Sequence, residues 1–356
     1  MKPTQNERRP ATLLVWLGGA LGDTLLGYPA LAALRRWAPA TRMTLVGRPS
    51  YAAFALSIGL VDRVVDSGGP SAASLFGGGL PSLEAPELAV IWSAAYAEIA
   101  ARFEDMGTRV VIAAPPRPAD PRHQSRYLLD CLGSLGVPRV LLPAPPPALE
   151  AIPSTMRSLI PEPPQRTVLL HPGAGSVWKL WPLASWLTLA EALAKRDYAV
   201  HWSFGPEDER PRTAFLGIAP AWRPLIWPEL PLAQFAALLA QCALFVSPDT
   251  GVAHLAALLR VPQVTLFGPT DPRRWRPLGR VAVLARAPNR HGCDWGDDQV
   301  GAGSPPLRRC VKASGEHCTC LGELSADDVL SACLRILDEP LIPGPPAEAG
   351  WQGDAD

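Results

Sequence analysis

"ALFVSPDTGVAHLAALLRVPQVTLFG", residues 243–268, joins two short apolar runs through a segment of helical length. The runs 243–247 and 263–268 are short and mainly apolar, which is typical of strands buried in a sheet. The segment 252–260 between them carries apolar residues at helical spacing. Strand, helix and strand in this order predict a parallel α/β sheet.

The same alternation occurs in both halves of the chain. The other predicted strands are residues 12–17, 43–48, 88–93, 108–114, 166–171, 198–205, 224–228 and 281–286. The other predicted helices are one that follows the first Gly-rich loop and runs through Trp37, one after the acidic turn 205–210, and residues 126–136, 183–197, 232–242 and 325–337, the last with Ser325 as its N-cap.

Prolines divide the chain into two predicted domains. The proline-dense stretch 137–165 suits a stiff connection, which places one Rossmann-like domain at 12–150 and a second at 165–337. Residues 67–83, rich in Gly and Ser, are interpreted as a mobile loop, and residues 338–356 as a disordered tail. Because ligands bind at the carboxyl ends of parallel strands, two such domains facing each other predict a single central cleft.

Composition limits the classes of partner. The chain has 356 residues, 48% of them hydrophobic, with 33 basic and 33 acidic residues. A balanced charge argues against nucleic acid as the main partner, since nucleic-acid binders usually carry a basic excess. The basic n-region and apolar run at the N-terminus admit a signal peptide. A buried first strand is favoured, because the apolar pattern continues past Asp23 as a helix and no cleavage site is clear. The predicted location is therefore the cytoplasm.

Two Gly-containing loops follow predicted strands. In the first, "GGALGDTLL" (18–26), glycines allow a sharp turn and Asp23 lies at a helix start, where it is either a simple N-cap or a functional carboxylate. The second, "HPGAGSVWKLWP" (171–182), combines Gly173, Gly175, Ser176 and Lys179 and suits an anion. The alternative for it is a turn with an exposed lysine. Neither loop has the spacing of a dinucleotide fingerprint or a Walker A motif.

Polar residues also gather where the strand 243–247 ends. Asp249 ends the strand, Thr250 and Gly251 start a helix whose free N–H groups suit phosphate, and His254 lies one turn in. A single histidine on an apolar helix is more often a satisfied core residue, but the convergence of several polar groups favours a site. A carboxylate in "GPEDER" (205–210) could accept hydrogen bonds from sugar hydroxyls.

The seven cysteines do not indicate a disulfide scaffold in a chain of this length. Three lie in apolar surroundings and are interpreted as small core residues: Cys131, Cys242 and Cys333. Four others cluster late in the chain: Cys293, Cys310, Cys318 and Cys320. They admit a structural zinc site, although reduced thiols or a redox-labile pair fit the loose spacing better, so no metal is predicted.

Four segments together resemble the ADP-heptose:lipopolysaccharide heptosyltransferases, glycosyltransferase family 9, over about residues 12 to 337. They are "LGGALGDTLLGYPALAALR", "LLHPGAGSVWKLWP", "FVSPDTGVAHLAALLRVPQVTLFGPTDP" and "CLGELSADDVL". The resemblance implies an α/β GT-B fold, two Rossmann-like domains facing across a central cleft. It also implies an inverting, metal-independent transfer of a sugar, heptose by analogy, from a nucleotide diphosphate, ADP by analogy. The implied acceptor is lipopolysaccharide or another glycan.

The resemblance also implies roles for individual residues. Asp23 matches the general base that activates the acceptor hydroxyl, and Lys179 matches the lysine that contacts the donor phosphate. The remaining donor-binding positions by this analogy are Gly173, Ala174, Gly175, Ser176, Glu209, Leu230, Asp249, Thr250, Gly251 and His254. The acceptor side is assigned to Gly22, Arg48, Arg122 and Arg126, with His123 beside them.

This chain departs from the family pattern at Pro248, where an asparagine is usual, and in the 173–176 loop, which keeps only one hydroxyl residue. No cofactor is predicted, because the nucleotide sugar is a substrate and no D-x-D carboxylate pair that would call for a metal occurs within residues 12–337. The predicted partners are that donor, a glycan or lipid-linked acceptor, and a transient inner-membrane surface. Two alternatives stay open: a GT-B sugar-nucleotide epimerase, and a non-catalytic protein that binds a nucleotide sugar or glycan.

Overall fold

A computed structural model describes residues 9–76, 83–93, 96–112, 122–139, 156, 166–218, 224–285 and 319–338. These residues build two separate parallel sheets, one in each half of the chain, of five and six strands. Every strand pairing in both sheets is parallel. The predicted α/β architecture with a parallel sheet in each half is therefore confirmed.

The amino-terminal sheet has the order β3-β2-β1-β4-β5. Its strands are β1 (Thr12–Leu17), β2 (Arg42–Gly47), β3 (Arg63–Asp66), β4 (Leu88–Trp92) and β5 (Arg109–Ile112). Its helices are α1 (Leu21–Leu26), α2 (Tyr28–Trp37), α3 (Pro49–Ser57), α4 (Pro70–Ala73), α5 (Tyr96–Asp105) and α6 (Gln124–Cys131). We call this unit the amino-terminal lobe. β1 lies at its centre, and residues 13–17 of that strand are all buried, as the apolar run predicts.

The carboxy-terminal sheet has the order β11-β10-β9-β6-β7-β8. Its strands are β6 (Thr167–Leu170), β7 (Ala199–Trp202), β8 (Leu225–Ile226), β9 (Leu244–Pro248), β10 (Gln263–Phe267) and β11 (Val281–Ala285). Its helices are α7 (Leu183–Ala194), α8 (Glu209–Ile218), α9 (Leu232–Leu239), α10 (Gly251–Leu258), α11 (Pro272–Trp275), α12 (Thr319–Gly322) and α13 (Ala326–Asp338). We call this unit the carboxy-terminal lobe. The order reverses between β6 and β9, which makes their carboxyl ends the natural ligand edge.

Two predictions about the amino-terminal lobe need correction. The helix expected to run through Trp37 is divided at Gly27, because Pro29 in the first turn of α2 has no N–H to continue the helical hydrogen bonds. Gly27 itself packs closely on β1, since a Cβ there would lie 2.6 Å from the Leu17 side chain. The segment interpreted as a mobile loop contains the short helix α4, while residues 77–82 lie outside the described part. Sequence analysis also missed β3, whose four residues include a charge at each end.

The start of α13 is capped as predicted. The Ser325 Oγ accepts the Asp328 N–H at 3.1 Å, and the Asp328 Oδ2 accepts the Ser325 N–H at 3.4 Å. This reciprocal pair is a capping box, which satisfies two backbone donors that a helix start otherwise leaves free. α13 packs against α7 and β10, so the last described helix closes the carboxy-terminal lobe.

The two lobes meet through α1 and α10, which pack directly against each other. Their contact is close because it uses glycines. A Cβ on Gly251 would lie 2.8 Å from the Leu21 Cβ, and a Cβ on Gly22 would lie 3.4 Å from the His254 ring. One apolar cluster accordingly includes Leu25 of α1 and Leu255 of α10. The first turns of the two helices are thus brought face to face.

Within the part of the chain that the structure describes, no helix is both long and apolar enough to cross a membrane.

Candidate active site

Asp23 occupies the third position of α1, facing the carboxy-terminal lobe. Its Oδ2 accepts the N–H of Ala20 at 2.9 Å, and Ala20 is the N-cap residue, so the interpretation of Asp23 as the N-cap itself was wrong. Gly19, at φ +111°, makes room for the carboxylate, because a Cβ there would lie 2.6 Å from the Asp23 Oδ2. The loop glycine and the helix start together fix the direction of this side chain, which keeps access to solvent.

Although Asp23 is exposed at the surface of the lobe contact, desolvation by the surrounding protein raises its pKa above the ordinary value of 3.8. The Ala20 N–H and the Lys179 ammonium lower the pKa, while the Asp249 carboxylate raises it. The charges of Lys179 and Asp249 belong to the other lobe, so Asp23 lies within their electrostatic range. A carboxylate whose pKa is raised by its surroundings binds a proton more readily than an ordinary one, as a general base must.

Lys179 and Asp249 form an ion pair at the carboxyl edge of the second sheet. The Lys179 Nζ lies 2.7 Å from the Asp249 Oδ2, and the Thr270 hydroxyl donates to the same oxygen at 2.7 Å. Asp249 is buried, with 5% of its surface exposed, whereas the Lys179 side chain is 25% exposed. The ammonium has three donors, so it can hold Asp249 and still contact an anion in the cleft.

α10 begins beside this pair. Thr250 is its N-cap residue and makes no side-chain capping bond, so its hydroxyl does not occupy the N–H groups of the first turn, of which that of Ala253 is donated to the Thr250 carbonyl oxygen. His254 is buried, and burial lowers its pKa to about 4, with Asp249 opposing the change. The histidine is therefore neutral near pH 7, contacts the first turn of α1 and also lines a small cavity with Leu26 and Ser125.

The 173–176 loop follows β6, as predicted, and ends in a short 3₁₀ turn at Val177–Lys179. The Ser176 Oγ accepts the Trp178 N–H at 3.4 Å, which caps that turn and sets the position of Lys179. Gly175 is exposed and Ala174 half-buried, while Gly173 is buried. The loop thus places Lys179 toward Asp249 and leaves backbone on the cleft side.

Two other predicted donor contacts lie on other elements of the carboxy-terminal lobe. Glu209 is exposed at the start of α8, and Leu230 is half-buried against the apolar cluster that contains Leu25 and Leu255. Their donor roles remain predictions. The neighbouring Asp208 is the buried carboxylate of the acidic turn, and sequence analysis did not single it out.

The predicted acceptor residues fall into two places. Arg48, at the N-cap of α3, lies 3.7 Å from Glu207 of the opposite lobe, an exposed pair that spans the cleft. Arg122 and Arg126 lie at α6, each within 3.5 Å of Asp130. Gly22 lies between these places, against α10. The acceptor roles of these residues remain predictions.

Three polar residues that support the site were missed: His171, Asp208 and Thr270. His171 and Asp208 lie within quoted motifs, and Thr270 lies within "GPTDP", but their partners are distant in sequence. His123 was named only as an acceptor candidate. Its Nε2 lies 2.8 Å from the Arg276 carbonyl oxygen, so it also links the two lobes.

One of the four late cysteines lies among the residues that the structure describes. Cys293, Cys310 and Cys318 lie outside the described residues, while Cys320 is buried in the core of the carboxy-terminal lobe. Cys242 and Cys333 are buried as predicted, and burial raises the pKa of the Cys333 thiol to about 12. Cys131 is only half-buried. Among the described residues, no group of three or more histidine, cysteine or acidic side chains could hold a metal ion.

Two parallel α/β lobes whose ligand edges face each other define the GT-B class of fold. Residues 148–297 match the family profile described as "Glycosyltransferase family 9 (heptosyltransferase)". This match confirms the family resemblance seen in the sequence motifs.

Relatives agree with this assignment. Lipopolysaccharide heptosyltransferase 1 of Pseudomonas aeruginosa is 41% identical over 118 residues, which cover 33% of this chain and 32% of that protein. The alignment thus spans about a third of the length of this curated relative.

Solved structures agree over a longer range. A glycosyl transferase family 9 protein of Veillonella parvula aligns with a TM-score of 0.70 at 17% identity, covering 92% of this chain and 97% of that one. E. coli ADP-heptose lps heptosyltransferase II aligns with a TM-score of 0.66 at 17% identity, covering 92% and 98%. At this identity the structural likeness establishes the fold.

Proposed function

We propose that the chain is a glycosyltransferase that moves heptose from ADP-heptose to a lipopolysaccharide acceptor with inversion at the anomeric carbon. The observation that carries the proposal is the placement of Asp23 within electrostatic range of Lys179 and Asp249 across the lobe contact. The family match, and the ADP-heptose named for the E. coli structure, support the choice of sugar and nucleotide.

The residues suit a single displacement. Asp23 takes the proton from the acceptor hydroxyl as its oxygen attacks the anomeric carbon, and the bond from that carbon to the diphosphate oxygen breaks. The departing ADP carries the negative charge, which Lys179 and the first N–H groups of α10 stabilise. Charge develops on the leaving group during the reaction, so groups placed there act on the transition state more than on the bound donor.

Asp249 has a second use in this proposal. Its buried carboxylate is held by Lys179 and Thr270, which leaves its other oxygen to accept hydrogen bonds from sugar hydroxyls. We assign the donor to the carboxy-terminal lobe, which carries Lys179 and Asp249, and the acceptor to the amino-terminal lobe, which carries Asp23. We place the enzyme in the cytoplasm, with transient contact to the inner membrane where a lipid-linked acceptor is presented. No cofactor enters the proposed reaction.

The donor is tested by thermal shift against ADP-heptose, ADP-glucose, UDP-glucose and GDP-mannose. A ligand at one hundred times its Kd stabilises the folded state by about 2.7 kcal/mol, which is readily detected. We expect ADP-heptose to raise the Tm most, ADP-glucose less and the other two little. No shift with any of the four would contradict the proposal. Consumption of the donor without acceptor and without hydrolysis would favour the epimerase, and binding without any turnover would favour the binding protein.

The pH profile tests the base. Because the pKa of Asp23 is raised, kcat/KM should fall as pH decreases through a value above 3.8, since the protonated carboxyl cannot accept the acceptor proton. The measurement is kcat/KM between pH 4 and 9 at constant ionic strength. The low-pH limb should vanish from the residual activity of Asp23→Asn. An unchanged limb in that variant would assign it to another group.

A further inference from the structure

Three buried polar side chains, His171, Ser203 and Asp208, form a network directly beneath the 173–176 loop. The His171 Nδ1 lies 3.1 Å from the Ser203 Oγ, and its Nε2 lies 3.4 Å from the Asp208 Oδ2. The same Asp208 oxygen accepts the Gly205 N–H at 2.6 Å. All three polar side chains are buried, with 3%, 3% and 5% of their surface exposed. This polar network joins the end of β6, the end of β7 and the turn before α8.

The surroundings of His171 act on its protonation in opposite directions. Burial lowers the pKa of His171, while the Asp208 carboxylate and a backbone hydrogen bond to Ser203 raise it. With a neutral ring, the Nε2–H donates to Asp208, and the Nδ1 accepts the Ser203 hydroxyl proton. Each member is then satisfied, which matters because an unpaired polar group in a protein interior is costly.

The carboxylate of Asp208 also sets the shape of the donor loop. A Cβ on Gly173 would lie 2.0 to 2.2 Å from the Asp208 carboxyl atoms, closer than any real contact. The Gly173 backbone therefore rests directly on Asp208, and no larger residue fits while the carboxylate is present. Asp208 in turn sits in the 205–209 turn, between Glu207 and Glu209.

We propose that His171 and Asp208 are positioning residues that hold the 173–176 loop and the 205–209 turn in one fixed arrangement, so that both present their groups to the ADP part of the donor. This inference rests on the proposed function for the identity of the ligand. Neither side chain contacts the donor in this proposal: they act through the Gly173 backbone and through the turn. Precise placement of binding groups matters, because a displacement of about 1 Å can cost on the order of 100-fold in rate.

The test compares Asp208→Asn and His171→Gln with the wild type in two measurements. Hydrogen exchange of amides 173–179 reports the order of the loop, and calorimetric titration measures the affinity of the protein for ADP. Asn keeps an oxygen for the Gly205 N–H but loses the charge that the histidine faces. We expect roughly tenfold faster exchange in the loop and roughly tenfold weaker ADP binding for each variant.

A double-mutant cycle tests the shared space. Gly173→Ala should weaken ADP binding roughly tenfold in the wild type, but less than about twofold when Asp208 is already alanine, because the methyl group then has room. If the Asp208→Ala background does not fold, the same comparison in Asp208→Ser serves. Val329→Ala, a buried change on α13, is the control for a general loss of stability and should leave both measurements unchanged.

The outcomes separate the two proposals. Unchanged loop exchange and unchanged ADP affinity in Asp208→Asn and His171→Gln would overturn the positioning role. Equal weakening by Val329→Ala would also overturn it, since any loss of stability would then suffice. A wild type that fails to bind ADP would overturn the proposed function, while the exchange of amides 173–179 would still decide whether the pair orders the loop.

Discussion

Asp23→Asn should lower kcat roughly 100- to 10,000-fold, the range that a positioned general base contributes. The amide keeps an oxygen for the Ala20 N–H, so the start of α1 stays capped, but it cannot accept the acceptor proton. Steady-state kinetics with ADP-heptose and a lipopolysaccharide acceptor measure the effect. ADP affinity should stay within about threefold, because the proposed donor contacts lie on the other lobe.

Stability separates this loss from misfolding. The raised pKa of Asp23 means that its proton is held more tightly in the folded state than in the unfolded chain. Its contribution to stability is therefore lost as pH rises from 3.8 through the raised folded-state value, and ionised Asp23 is unfavourable at neutral pH. Asp23→Asn should accordingly match or exceed the wild type in Tm near pH 7.

Asp328→Asn is the matched control. Asp328 is the third residue of α13, as Asp23 is the third residue of α1, and it accepts the backbone N–H of its own N-cap residue. Its helix packs away from the lobe contact, on α7 and β10. The control should retain wild-type kcat. Full activity in Asp23→Asn, or an equal loss in Asp328→Asn, would contradict the assignment of Asp23 as base.

Lys179→Met should lower kcat/KM roughly 100- to 1,000-fold, the cost of removing one charge-stabilising group from such a site. In the proposed reaction, the substitution removes the cation that stabilises the leaving diphosphate. Two side chains are described as donors to the Oδ2 of the buried Asp249, Lys179 and Thr270, and after the substitution the Thr270 hydroxyl remains. Since the ammonium is 25% exposed, part of its attraction to Asp249 is screened by solvent, and we expect a stability loss of about 1 kcal/mol.

The double variant Lys179→Met with Asp249→Asn separates stability from catalysis. Removing both charges relieves the unpaired carboxylate, so the Tm should recover most of its loss. Transfer should not recover, because the charge sink for ADP is still missing. Lys195→Met, which breaks an exposed pair with Glu191 at the end of α7, should change neither quantity measurably. Recovery of transfer in the double variant would remove Lys179 from the mechanism.

Local patterns were sufficient for most of the fold. The run at β1 is buried because every residue from 13 to 17 is apolar, and the cap of α13 follows from Ser325 and Asp328 three residues apart. The break at Gly27 was missed although Pro29 is a local signal for it, whereas the close approach of Leu17 to Gly27 depends on a different element. β3 was missed because four residues with charged ends carry little periodic signal.

The same distinction between local patterns and contacts from distant segments applies to the residues of the candidate site. Asp23 and Asp249 were identified because they stand at a helix start and a strand end, and Lys179 because it belongs to a Gly-containing loop that follows a strand. Asp208 was overlooked beside Glu209, since both are acidic residues in one turn, and only burial distinguishes them. Thr270 was missed as well, because the Asp249 oxygen to which its hydroxyl donates lies 21 residues away in sequence.

The amino-acid sequence by itself determined the two α/β units, their parallel strands and the polar groups at their ligand edges, because strand burial, helix period and glycine turns depend on neighbouring residues. Only the tertiary structure decided that α1 and α10 meet through glycines and that Asp208 fills the space beneath Gly173. It also decided that the charges of Lys179 and Asp249 act on the pKa of Asp23. These are contacts between distant segments, and their strength depends on distance and desolvation, which exist only once the chain has folded.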